Sequence, residues 1–185
     1  MTTLIKHKRV EFSELFYDLV FVFAISKATT LIDHLHNGIL TWNSFLDFFM
    51  AVLVLTDSWM IQTVYTNRYG KNSLFNMVIM FIKMGLLLFI ANMIGPDWQQ
   101  YFHYLCWAVG TLTFTLFLQY LVEFFRKSTD NVERESIKGF LWITGLGSLG
   151  VYLAALLPIY VRVYILFASI LFIFIMPSIL LNKDK

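Results

Sequence analysis

Glu14, Asp18, Lys27, Asp47, Asp57 and Lys83 are ionisable residues set inside long apolar stretches of this chain. An ionised group at mid-bilayer costs roughly 2.5–3.5 kcal/mol on insertion scales, so such a residue is a functional-site hypothesis by default. Asp18, Lys27, Asp47, Asp57 and Lys83, ionised and unpaired, would together cost on the order of 12–17 kcal/mol, comparable to the stability of a whole domain. They must therefore be paired, hydrated in a cavity, or neutralised. Three chemistries meet those terms. One is a set of structural ion pairs that lock a bundle. Another is a hydrated path or binding site for an ion or small polar solute. The third is a redox or enzymatic site.

Helical spacing limits which groups meet. At 100° per residue Glu11, Glu14 and Asp18 share one face, Thr29 returns to it, and Lys27 points away. Matched depth then suggests partners: Glu14 and Asp18 with Arg68 at the inner end, Asp57 with Lys83 near the midplane, and Lys27 with Asp47 in the outer half. Glu14, Asp18, Asp57, Arg68 and Lys83 form the expected polar site, and Lys27–Asp47 a secondary pair. No spacing of Ser, Cys and His implies a nucleophile with its base, so no catalytic residue is predicted. Asp33, His34, His36, Asp97 and His103 map to the outer side, but nothing fixes their mutual distance, and no metal or haem site is predicted. Gly145-Leu-Gly147-Ser-Leu-Gly150 matches a dinucleotide-binding pattern without the strand–turn–helix context that pattern needs, and is set aside.

The elements that position these groups are transmembrane helices. Of 185 residues 58% are hydrophobic and only 14% charged, against about 25% charged in soluble domains. A span needs ~20 mostly apolar residues, and six segments qualify: Phe12–Asp33, Thr41–Tyr65, Asn72–Ile94, Trp98–Phe125, Gly139–Leu157 and Ile159–Leu181. The breaks carry turn chemistry at His36-Asn37-Gly38, Arg68-Tyr69-Gly70, Gly95-Pro96-Asp97 and Pro158, with a longer polar stretch over Arg126–Lys138. Such short links predict antiparallel neighbours. Lys6, Lys8 and Arg9, then Arg68 and Lys71, then Arg126, Lys127, Arg134 and Lys138, then Lys183 and Lys185 alternate with loops almost free of Lys and Arg. That bias predicts cytoplasmic termini. Acids after the basic N-terminus argue for a retained first span rather than a cleaved signal. Trp42, Trp98, Tyr101 and Tyr160 suit the outer interface, and Tyr65, Tyr69, Tyr120 and Trp142 the inner one.

Pro177 predicts a kink in the sixth span. Thr144, Gly147, Ser148, Val151, Ala154 and Ala155 form a small-residue stripe for close helix packing, within one subunit or across a dimer. The basic residues sit in short loops rather than on one face, which excludes a nucleic-acid surface. Cys106 is the sole cysteine, so no internal disulfide forms.

The segment Glu14-Leu-Phe-Tyr-Asp18-Leu-Val-Phe-Val-Phe-Ala-Ile-Ser26 resembles the first-span signature of the bacterial low temperature requirement A (LtrA) family. Asp57-Ser-Trp59-Met-Ile-Gln-Thr63-Val-Tyr65-Thr-Asn67-Arg68-Tyr69 resembles that family's tryptophan-rich end of the second span. The resemblance implies Glu14, Asp18, Trp59, Asn67 and Arg68 as the family's characteristic positions. The chain departs at Tyr17 and Tyr69, where phenylalanine is usual, and at Ser58, where an aromatic residue is common. Typical members are about twice as long, so a parallel homodimer is expected to rebuild a duplicated bundle.

The expectation is an all-α integral membrane protein, a six-transmembrane-helix bundle with both termini cytoplasmic, in the bacterial inner membrane. Its leading function is ion- or proton-linked transport or a channel-like role. The rival is a non-transporting module: a lipid- or cofactor-binding redox protein, or a subunit of a larger membrane complex. No cofactor is predicted beyond a bound lipid, and the family's name, a cold-growth phenotype, carries no reaction.

Overall fold

A helix apolar all round has no water-facing side and belongs in a core or a bilayer. The computed structural model describes residues 11–33, 41–70, 73–95, 98–126 and 131–183. Among them lie six long α-helices and no strand: α1 (Phe12–Ala28), α2 (Trp42–Tyr69), α3 (Leu74–Met93), α4 (Trp98–Phe124), α5 (Asn131–Leu156) and α6 (Ile159–Lys183). Helices α2 to α6 are long and apolar enough to cross a membrane. Helix α1 has 17 residues, and a 3-10 turn over Thr29–Leu31 extends it. Leu19 and Val22 on α1, Phe81 on α3, Leu149 and Leu153 on α5 and Tyr164 on α6 lie on the outside. Asp57, Gln62, Lys83, Gln119, Thr144 and Ser148 lie inside. That inverts the order of a water-soluble domain.

Several ends differ from the sequence expectation. The first span is shorter, because the Thr29 and Thr30 hydroxyls bond the Ser26 and Lys27 carbonyls (2.7 Å each) and draw the helix into the 3-10 turn. Helix α2 runs through the expected break to Tyr69, and Gly70 caps it with its N–H on the Thr66 carbonyl (3.0 Å). The expected loop over Arg126–Lys138 is helical from Asn131, supported by the i, i+3 pair Lys138–Glu135. Helix α6 continues through Pro177 to Lys183. Side-chain caps start α2, where Thr41 Oγ1 accepts from Ser44 N–H (3.3 Å), and α3, where Ser73 Oγ accepts from Asn76 N–H (3.2 Å). Pro158 breaks α5 from α6, and Arg162 donates from Nε (3.0 Å) and Nη2 (2.7 Å) to the freed Leu157 carbonyl. His34, His36–Gly38, Lys71, Pro96, Asp97 and Lys127 lie outside the described residues, as do the basic residues of the N-terminus.

Helices α4 and α5 are antiparallel, pairing His103 with Ala155, Thr111 with Tyr152, and Tyr120 with Phe140. Helix α6 returns along α5: a methyl group on Gly147 would overlap Ile173, and one on Gly150 would overlap Ser169. The small-residue stripe thus serves packing within this chain. Sequence neighbours are not always the main partners. Helix α1 packs chiefly on α3, and α2 lies against α1, α4 and α6. The buried residues of α1 are Ser13, Tyr17, Ala24 and Ala28, and small residues of this kind let a neighbouring helix come close.

Two apolar clusters fill the interior. One holds Leu55, Leu87, Cys106, Leu112, Val151 and Leu166; the other holds Ile61, Tyr65, Leu116, Tyr120, Phe140 and Ile173. On α2, α4 and α5 buried polar residues fall where one cluster gives way to the other: Asp57 and Ser58, Thr113 and Thr115, and Thr144 and Ser148. The bundle therefore carries a polar belt across its interior.

Candidate functional site

The belt's hydroxyls and its longer side chains behave differently. Thr113, Thr115, Thr144 and Ser148 bond carbonyls one turn back in their own helices (Val109, Leu112, Phe140 and Gly145, at 2.7–3.0 Å). Self-satisfied hydroxyls can be buried without a ligand or a partner helix. Lysine, glutamine and aspartate cannot close on their own backbone in this way. They mark the site.

Lys83 on α3 is 1% exposed. Its Nζ donates to Gln62 Oε1 on α2 and to Gln119 Oε1 on α4. Gln62 Nε2 in turn donates to Thr66 Oγ1 at 3.0 Å, so one hydrogen-bonded chain joins three helices. The Gln119 amide nitrogen and one carboxylate oxygen of Asp57, Oδ1, are buried without a hydrogen-bond partner among the described residues. The Tyr17 and Tyr120 hydroxyls are in the same state. Below the cluster Tyr120 stacks on Phe140 (5.0 Å, 3° between planes) and takes Tyr65 and Tyr69 edge-on at 5.1 and 6.0 Å. Tyr65 donates to Asn76 Oδ1 at 3.3 Å.

The expected partnerships are redistributed. Lys83 is held by two amides rather than by Asp57, because Gln62 lies five residues beyond Asp57, about 7–8 Å along α2. Asp18 accepts from Trp59 Nε1 at 2.8 Å, with Trp59 stacked on Phe21 (5.4 Å between centroids). Arg68 lies nine residues past Trp59, about 13 Å further along α2, exposed at the helix end with Asn67. The described ion pairs are Arg126–Glu123 (2.8 Å) and Lys138–Glu135 (2.5 Å), neither of them an expected one. Lys27 lies over the Phe23 ring (5.8 Å), and Asp47 is half-buried on α2. Glu14 sits half-buried in the first turn of α1.

His103 has both ring nitrogens engaged. Nδ1 donates to the Ala155 carbonyl (2.8 Å) and Nε2 accepts from Trp107 Nε1 (3.2 Å), which leaves no nitrogen for a metal.

Gln62, Gln119 and Thr66 escaped the sequence reading because it followed formal charge. Gln62 was nonetheless visible within the Trp59–Thr63 motif, and Gln119 as a lone amide in the apolar run Leu116–Leu121.

Apolar outside, polar within, and crossed by a lysine–amide chain, the bundle has the architecture of a multi-pass helical membrane protein. Residues 9–183 match the family described as bacterial low temperature requirement A protein (LtrA), and the chain belongs to that family. The match extends the two sequence motifs to nearly the whole chain, and Asp18–Trp59 joins one motif to the other. No curated relative and no solved structure matches.

Proposed function

We propose that this protein is an ion- or proton-linked transporter or channel-like protein of the bacterial inner membrane. It crosses six times with both termini cytoplasmic, and Lys83, Gln62, Gln119 and Asp57 are its central polar groups. The observation that carries this reading is the polar interior: a buried lysine shared by two glutamines, with a spare amide N–H on Gln119 and a spare carboxylate oxygen on Asp57, about 7–8 Å from Gln62 along α2. A purely structural clamp gains nothing from buried groups left over, since each unsatisfied one costs about 1–3 kcal/mol. A site that exchanges partners during a cycle needs such groups. Tyr65, Tyr69 and Tyr120 pack as an aromatic layer on one side of the cluster and supply a closed gate. The sixth crossing is α1 with its 3-10 turn, about 30 Å over 20 residues. A homodimer of such bundles is part of the same reading.

The test is flux in proteoliposomes under imposed gradients of protons, alkali cations and small metabolites. Flux is expected from the unmodified protein, and its loss from Lys83→Met and Asp57→Asn variants that keep the helical signal and monodispersity. Absence of flux under every gradient would sink the proposal and leave Lys83 as a structural clamp in a non-transporting module.

A further inference from the structure

Away from the polar belt, the outer face between α4 and α5 carries an apolar groove of about 440 Å³. Phe117, Leu121 and Phe124 form one wall, and Leu141, Gly145 and Leu149 the other. Gly145 keeps it open: a Cβ there would stand 3.3 Å from the Phe117 ring. Lys138 lines one end. Arg134, one turn earlier, lies with its guanidinium 4.8 Å from the centroid of Phe124, a wall residue, so a second cation reaches the same mouth. Trp142, 69% exposed, sits one turn inside it, where interfacial tryptophans lie.

Length and charge name the occupant. From Lys138 to Leu149 the α5 wall rises about 16 Å, close to the ~15 Å depth of one leaflet's hydrocarbon. A single acyl chain fits that length, with its headgroup level with the cations. Glu135 is the acid bonded to Lys138, and its side chain is 72% exposed, turned toward solvent. An ammonium has three donors, so this pair leaves Lys138 able to take a phosphate oxygen as well. We propose that the groove binds an anionic phospholipid, one acyl chain against Phe117, Leu121 and Leu149 and the phosphate held by Lys138 and Arg134. The two cations select an anionic headgroup over a zwitterionic one, since each basic side chain near a membrane surface favours anionic lipid. The proposal is independent of transport.

The test uses the full chain in mild detergent, titrated with phosphatidylglycerol or with phosphatidylcholine of the same chains. Binding is read by native mass spectrometry and by thermal unfolding. Phosphatidylglycerol is expected to bind roughly 10-fold more tightly. The double variant Arg134→Gln/Lys138→Gln should bring it down to the phosphatidylcholine level, while Arg134→Lys/Lys138→Arg retains the preference and controls for folding. Leu149→Trp, which fills the groove, should weaken both lipids. Equal binding of the two lipids by the unmodified protein overturns the proposal, as does a preference that survives loss of both cations. So does a lipid-independent dimer that Leu149→Trp dissociates, since the groove would then hold a second copy of the chain.

Discussion

Lys83 concentrates the physics of this molecule at one atom. Its Nζ lies among apolar helices, and two glutamine oxygens replace the water it leaves. Leaving a buried donor without its acceptor costs about 1–3 kcal/mol, so Gln119→Leu should destabilise the protein by that amount in detergent unfolding. Lys83→Met removes the donor that made the glutamine necessary. The double variant should therefore fall short of the summed single losses by at least ~1 kcal/mol; additivity within ~0.5 kcal/mol would show that the two side chains do not interact. Asp18 and Trp59 form a more exposed version of the same bond. Trp59→Phe keeps an aromatic ring on Phe21 but deletes the donor, and should cost about 1 kcal/mol by the same assay. Asp18→Asn retains an acceptor oxygen and should cost less.

At the scale of the element, glycine separates helix propensity from packing. Gly85 on α3 has nothing within 4 Å of an added Cβ, whereas Gly147 on α5 faces Ile173 directly. Gly85→Ala should stabilise by roughly 0.5–1 kcal/mol, because alanine is the better helix former. Gly147→Ala makes the same backbone change yet should destabilise by about 1–3 kcal/mol through overpacking against α6. Melting of the two variants side by side checks this, and shifts of equal sign would refute the α5–α6 contact. The helix ends show the same division between local and distant causes. Thr41 and Ser73 cap α2 and α3 by contacts within four residues of sequence. Caps of that kind are local enough to be legible in a sequence, though neither was predicted here. The α5 start at Asn131 was not legible, because a charged stretch reads as a loop until i, i+3 pairing such as Lys138–Glu135 makes it a helical extension.

For the whole molecule the open arrangement is its placement across the bilayer. Helix α3 runs antiparallel to α2 and to α4, α5 to α4 and α6 to α5, which puts Leu74 and Lys138 at one end and Tyr160 at the other. In the orientation proposed above, from lysine and arginine bias, the Leu74 end is cytoplasmic. A cysteine at Leu74 (79% exposed) should react with an impermeant maleimide only in inverted vesicles, and one at Tyr160 (83% exposed) only in right-side-out ones. Cys106 is 0% exposed and should give no background. Labelling of both positions from the same side would contradict the bundle's topology.

The sequence by itself determined the helical class, five of the membrane-length segments, the family, and the buried polar residues Asp57 and Lys83. All of these follow from hydropathy, periodicity and local motif, which are properties of neighbours in the chain. Partnership was decided only by the tertiary structure. Depth matching placed Asp57 near Lys83 and Asp18 near Arg68, yet hydrogen bonds form over about 3 Å, and helix rotation and register settle contacts at that range. Because α3 and α2 both pack on α4, Lys83 meets two glutamines, and because α2 also lies against α1, Asp18 meets a tryptophan.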